Sequence, residues 1–124
     1  MFEDERIVVK VNPKWWTGVP GGMLEIPRAH YENLYDLPND VALAVHRSVH
    51  RTSLTLKALG CDGITVRQHN EPAGGQDVWH FHVHVFPRHT GDDLNAATSY
   101  WADRDDIGRY AARVRAAWRE DPSD

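Results

Sequence analysis

The sequence predicts an α+β domain, an antiparallel sheet of about five strands with one long helix and a C-terminal helix packed on its apolar face. Three observations predict it. Short β-branched runs are separated by Pro- and Gly-rich turns, apolar residues recur at helical spacing from Asn39 to Leu59, and a second helical stripe follows from about Asp105 to Arg119. The 124 residues suffice for one modest core, so a single domain over 1–124 is expected.

In chain order, Arg6 to Val11 reads as a strand and Gly22 to Ile26 as the next. The loop between them, Asn12 to Gly21, is broken by Pro13, Gly18 and Pro20 and carries the adjacent indoles of Trp15 and Trp16. Those rings either fold back on the core or form an aromatic platform for a ligand. Val41, Val45, Val49, Leu56 and Leu59 mark one face of the long helix, with Pro38 at its entrance, Asn39 or Asp40 available to cap it, and Gly60 at its end. His46 and His50 lie one turn apart, but no third ligand follows at matching spacing, so they read as solvated or partly packed. Gly63 to His69 reads as a strand, Asn70 to Gln76 as a turn suited to an antiparallel pair, and Val78 to Phe86 as a strand with strict alternation. Ile107, Tyr110, Val114 and Trp118 line one stripe of the last helix.

Composition narrows the function. With 41% apolar and 26% charged residues and a formal net charge of -4, a surface that tracks nucleic acid is not expected. No apolar run of membrane-spanning length occurs, and the acidic start carries no export signal, so no membrane partner is expected. The single cysteine, Cys61, forms neither an internal disulfide nor a thiolate zinc site, which points to a reducing, cytoplasmic setting.

The chemistry concentrates in His80-Phe81-His82-Val83-His84-Val85-Phe86. On a strand the three histidines share one face, while Trp79, Phe81, Val83 and Val85 face the core. Same-face neighbours stand about 6.6 Å apart and the outer pair about 13 Å. A zinc ion holds each nitrogen at about 2.0 to 2.1 Å, so three such rings converge poorly on a metal. Two readings follow: metal-free chemistry in which one ring attacks and its neighbours orient it, or a His-ligated metal that recruits Glu71 or His30.

The stretch from Gly75 to Arg88 resembles the signature of the histidine triad (HIT) family of nucleotide hydrolases and transferases. Ile26-Pro27-Arg28-Ala29-His30 resembles the family's earlier strand end with its fourth histidine, and Asn70 with Ala73-Gly74-Gly75-Gln76 its phosphate loop. The resemblance covers about residues 3 to 94, with 95–124 a helical extension. It implies a HIT-like fold, a two-fold homodimer and a phosphoramidase or dinucleoside polyphosphate hydrolase type of enzyme that needs no metal or other cofactor. The small-molecule nucleotide would be attacked at its α-phosphorus by His82, whose other nitrogen donates to the His80 carbonyl, through a nucleotidyl-histidine intermediate. His84 would donate to phosphate or leaving-group oxygens, His30 would complete the cluster beside His80, and Gln76 with nearby amides would cover non-bridging oxygens. Asn70 would contact the phosphate or ribose, and Gly75, Asp77, Trp15 and Trp16 would belong to the substrate site. A C-terminal aromatic, here Trp101, can reach the partner's site in such dimers.

The chain departs from the family's pattern in three places. Lys10 stands where relatives usually carry the ribose-binding Asp, the loop holding Trp15 and Trp16 is longer, and Asp77 replaces a usual Ser or Thr. An ionised carboxylate there must turn away from phosphate, pair with Arg67 or Arg88, or carry a proton. These departures also fit a nucleotide-binding regulatory or partner-docking protein with little turnover.

Overall fold

The computed structural model describes residues 2–3 and 5–119, with side chains for 5–119. In chain order its strands are β1 (Phe2–Glu3), β2 (Ile7–Val11), β3 (Lys14–Trp16), β4 (Met23–Pro27), β5 (Gly63–Arg67), β6 (Val83–Arg88) and β7 (Ser99–Trp101). Helices α1 (Asn39–Ala58) and α2 (Arg104–Ala117) complete the architecture. Five strands form one antiparallel sheet in the order β1-β2-β4-β6-β5, as the α+β reading expects.

Alternation divides the sheet into two unlike faces. Ile7, Val9, Val11, Met23, Val83 and Val85 form one core with Val41, Val45 and Leu56 of α1 and Val114 of α2. Each such side chain contributes about 1.5 to 3 kcal/mol of burial free energy, which fixes the register, because a one-residue slip would turn the whole set to the other side. On the opposite face, Lys10 of β2 pairs with Leu24 of β4, Leu24 with His84 of β6, and His84 with Arg67 of β5. Those four residues form one row across the sheet.

The helices follow the sequence pattern closely, but their caps do not. Pro38 takes the cap position of α1 and supplies no side-chain bond, so neither Asn39 nor Asp40 caps it; both lie within the first turn, where Asp40 favours the helix dipole. Asp103 caps α2 by accepting from the Asp105 amide. The loop before β4 meets α2 at Gly21, with φ +89°, where an added Cβ would lie 2.6 Å from the Tyr110 ring. Only glycine permits that approach.

Two expectations need correction. The strand expected from Val78 begins at Val83, and Trp79 is largely exposed instead of packed in the core. Its neighbour β4 ends at Pro27, which has no N–H to extend the ladder, so the preceding segment leaves the sheet and Phe81 donates to the Tyr31 carbonyl instead. The loop expected from Asn12 to Gly21 contains β3, which pairs with β7 as a separate two-stranded sheet, Trp15 opposite Tyr100. A three-residue strand whose partner lies some eighty residues away has no local signature.

Candidate active site

On the face away from α1 the sheet lies under a cavity of about 580 Å³, within the range of small-molecule sites. Leu24 and Ile26 supply apolar surface, β6 and the segment before it supply His80, His82 and His84, and Lys10, Asn12, Lys14, Trp16 and Trp101 also line it. His69, Gly75, Asp77 and Val78 complete the lining on the side of the turn.

The His82 Nδ1 lies 2.8 Å from the His80 carbonyl oxygen. A carbonyl only accepts, so Nδ1 carries the proton and Nε2 keeps its lone pair. His80 donates its own Nε2–H to the Pro27 carbonyl at 2.9 Å, and the exposed His30 ring meets it edge-on at 5.2 Å. Pro27 therefore both ends β4 and offers the acceptor that anchors His80.

His84 is held differently. Its Nδ1 lies 3.4 Å from the Asn12 side-chain nitrogen, which donates to it, so the proton resides on Nε2. Asn12 is itself buried and oriented by accepting the Lys14 amide at 3.0 Å. The His84 ring stacks on Phe86 at 5.5 Å and meets Trp16 and His82 edge-on at 6.4 and 5.0 Å. Burial, reinforced by the neighbouring His82, His69 and Arg67 charges, pushes its pKa down to about 4. His84 is a neutral hydrogen-bond donor at pH 7.

The turn ahead of the histidines is braced from within. Gln76 is buried; its Oε1 accepts the Glu71 amide at 2.7 Å, and its Nε2 donates to the carbonyls of Val78 at 3.1 Å and Glu32 at 2.5 Å. Glu71 adopts φ 62°, the left-handed region that non-glycine residues rarely take, and these bonds hold it there. The Gln76 side chain is thus committed to bracing the turn beside the cavity. Asn70 accepts from the Leu34 amide and exchanges bonds with Gln68. Gly75, in contrast, reaches the cavity.

The two indoles separate. Trp15 is buried, donates to the Asn12 carbonyl at 2.7 Å and packs edge-on against Tyr110, so it belongs to the core, whereas Trp16 lines the cavity. Alternation along β3 explains the split. Trp101, expected to reach a partner's site, lines the cavity of its own chain because β7 pairs with β3. Asp77 stands exposed at the rim; Arg88 pairs with Asp92, and Arg67 bonds Asn95 and lies over Phe86. Asn12, Lys14 and His69 were not expected at the site, and only a fold that brings β3 over β6 could have placed the first two.

The HIT domain profile matches residues 2–91. The chain belongs to the HIT family. A HIT-like protein of Methanocaldococcus jannaschii is 34% identical over 94 residues, covering 74% of this chain and 70% of that one. The adenylylsulfatase HINT3 of Arabidopsis thaliana is 36% identical over 80 residues, 64% of this chain and 41% of that protein. Among solved structures, a HIT-like protein of Bartonella henselae superposes with a TM-score of 0.83 at 30% identity, covering 94% of this chain and 83% of that one. A zinc-bound histidine triad protein of Mycobacterium smegmatis gives 0.79 at 27% identity, covering 94% and 80%. In this HIT protein, no three His, Cys, Asp or Glu side chains among the described residues are grouped to hold a metal ion, and His46 and His50 are exposed on α1. No described helix is long and apolar enough to cross a membrane.

Proposed function

We propose that this HIT protein hydrolyses a nucleoside phosphoramidate or a related nucleotide by transferring the nucleotidyl group to His82 and then to water. The observation that carries the reading is the 2.8 Å contact between His82 Nδ1 and the His80 carbonyl, which frees Nε2 in a cavity lined by three histidines. The Nε2 lone pair forms a bond to the α-phosphorus as the bond to the leaving group breaks, and the leaving group departs with its electron pair, a nitrogen leaving group taking its proton from solvent to leave as the amine. The positive charge that develops on the ring is stabilised through Nδ1–H by the His80 carbonyl. His84, neutral and protonated on Nε2, donates to phosphoryl or leaving-group oxygens without giving up its proton. Water then attacks phosphorus, the P–N bond breaks, and the water proton passes to solvent.

The adenylylsulfatase relative supports an adenylyl substrate with a small leaving group. The test is incubation with adenosine 5′-phosphoramidate, rapid acid-free quenching and intact mass measurement. A nucleotidyl adduct is expected on the wild-type chain and not on His82→Ala. Absence of both adduct and turnover with the phosphoramidate, with dinucleoside polyphosphates and with aminoacyl adenylates would overturn the reading. The resemblance to two-fold relatives also supports a homodimer, which sedimentation velocity tests: a particle of one chain mass refutes it.

A further inference from the structure

Two ammonium groups share the cavity with the histidines, and neither forms an ion pair among the described residues. Lys10 stands two strands from His84 in the row that runs through Leu24, so their Cα atoms lie about 10 Å apart at ordinary strand spacing. Lys14 projects from the same side of β3 as Trp16, one same-face step beyond it, with Nζ 5.7 Å from the Trp101 ring. The one carboxylate among the cavity's lining residues, Asp77, belongs to the turn before β6 and acts electrostatically on His84. No ion pair joins Asp77 to either lysine among the described residues.

An ammonium has three donors and no acceptor, so this part of the cavity suits a ligand group rich in acceptors and poorly suits sugar hydroxyls that seek one. Two unpaired positive charges over the apolar surface of Leu24 and Ile26 also concentrate anions there. We infer that the substrate carries a second phosphoryl group, beyond the phosphorus attacked by His82, and that Lys10 and Lys14 hold it. The inference rests on the nucleotidyl-transfer reading of the same site. The second group can be an ester on the sugar or part of a polyphosphate chain; the ligand chemistry is shared, and the test separates the sources.

Binding is measured by titration calorimetry at about 0.15 M salt, where exposed charges are largely screened beyond about 8 Å. The probes are AMP, ADP and adenosine 3′,5′-bisphosphate, titrated into His82→Ala, which cannot form the nucleotidyl adduct, and into the same variant carrying Lys10→Ala, Lys10→Asp or Lys14→Ala. At least one doubly phosphorylated probe is expected to bind about ten-fold or more tightly than AMP, as charge-assisted contacts to phosphoryl oxygens require. The ratio falls in Lys10→Ala and Lys14→Ala and approaches one in Lys10→Asp. A preference for the bisphosphate places the group on the sugar, and a preference for ADP places it on a phosphate chain. Equal, weaker or absent binding of both doubly phosphorylated probes overturns the inference, as does a ratio that Lys10→Asp leaves unchanged. Because the His82→Ala background binds these probes without turning them over, a missing adduct on the wild-type chain would refute the catalytic reading without altering the measured ratio.

Discussion

Glu25 and His84 lie on adjacent strands and opposite faces of the sheet, and their desolvation gives folding stability an unusual pH profile. Glu25 is fully buried beneath α1; Thr52 donates to its Oε1, Ser48 lies 3.5 Å away, and Oε2 has no partner among the described residues. Burial outweighs those bonds and pushes its pKa up to about 8, against 4.5 for the free group. Between those values the folded chain holds a proton that the unfolded chain has lost, so stability falls by about 1.4 kcal/mol per pH unit. His84 acts in the opposite sense. Its folded pKa of about 4 lies below the free value of 6.5, so the unfolded chain binds the extra proton and stability rises with pH between them. The two slopes cancel from about pH 4.5 to 6.5, and above 6.5 Glu25 acts alone, removing about 2 kcal/mol by pH 8. Glu25→Gln keeps the acceptor for Thr52 and abolishes the titration. Its stability is expected to rise by about 3 kcal/mol from pH 4 to 6.5 and then stay level. Urea unfolding followed by the fluorescence of the five tryptophans gives both curves, and every other titrating group cancels in their difference. Parallel curves for wild type and Glu25→Gln from pH 6.5 to 8 would refute the argument.

Asn12→Ala frees His84 to change tautomer; a hydrogen bond worth about 1 kcal/mol corresponds to a five- to ten-fold lower kcat. Imidazole ¹⁵N shifts, which report the Nε2–H tautomer, separate this positioning effect from general damage, and unchanged shifts would refute it. Trp101 is 73% exposed, so Trp101→Ala should alter unfolding free energy by less than about 0.5 kcal/mol while raising KM several-fold; a stability loss with normal KM would assign it a purely structural part. Gln76→Ala removes the brace of the turn and strands the buried ends of its partners, at a cost of about 1 to 3 kcal/mol in urea unfolding. Excess EDTA is expected to leave turnover unchanged, because the proposed reaction assigns attack to His82 and hydrogen-bond donation to His84 with no step on a metal ion. Activity lost to EDTA and restored by zinc would contradict that.

Much of this molecule was legible because period alone distinguishes a helix from a strand. The stripe through Val41, Val45 and Leu56 sets α1, and the stripe through Ile107, Tyr110 and Val114 sets α2, each within a few residues, although Trp118, expected on the same stripe, falls at the C-cap. The histidine spacing likewise announced a shared site, and His80, His82 and His84 all line one cavity. What the spacing could not convey was where the strand begins. The decision rests on Pro27, more than fifty residues upstream, which withdraws a donor from the neighbouring strand and supplies a carbonyl to His80. The same kind of long-range term hid β3, β7 and the engagement of Gln76, whose amide reaches back to the Glu32 carbonyl.

Glu25 was missed for a different reason. A glutamate in a strand normally signals the solvent face, yet alternation from Met23 places it with the core, between Val9 and Val83. Its neighbours on the sequence, Leu24 and Ile26, conversely turn to the cavity, where apolar side chains would ordinarily be out of place. The polarity of β4 is thus inverted at three successive positions. Hydrophobic transfer alone would favour the register that turns Leu24 and Ile26 toward α1, but that slip would also turn Met23 outward and misalign Val9 and Val83, so the neighbouring strands hold β4 in place. The exchange leaves an apolar surface beside His84 and Lys10 on the cavity face, where lowered polarity strengthens every hydrogen bond and charge interaction made with a bound phosphoryl group.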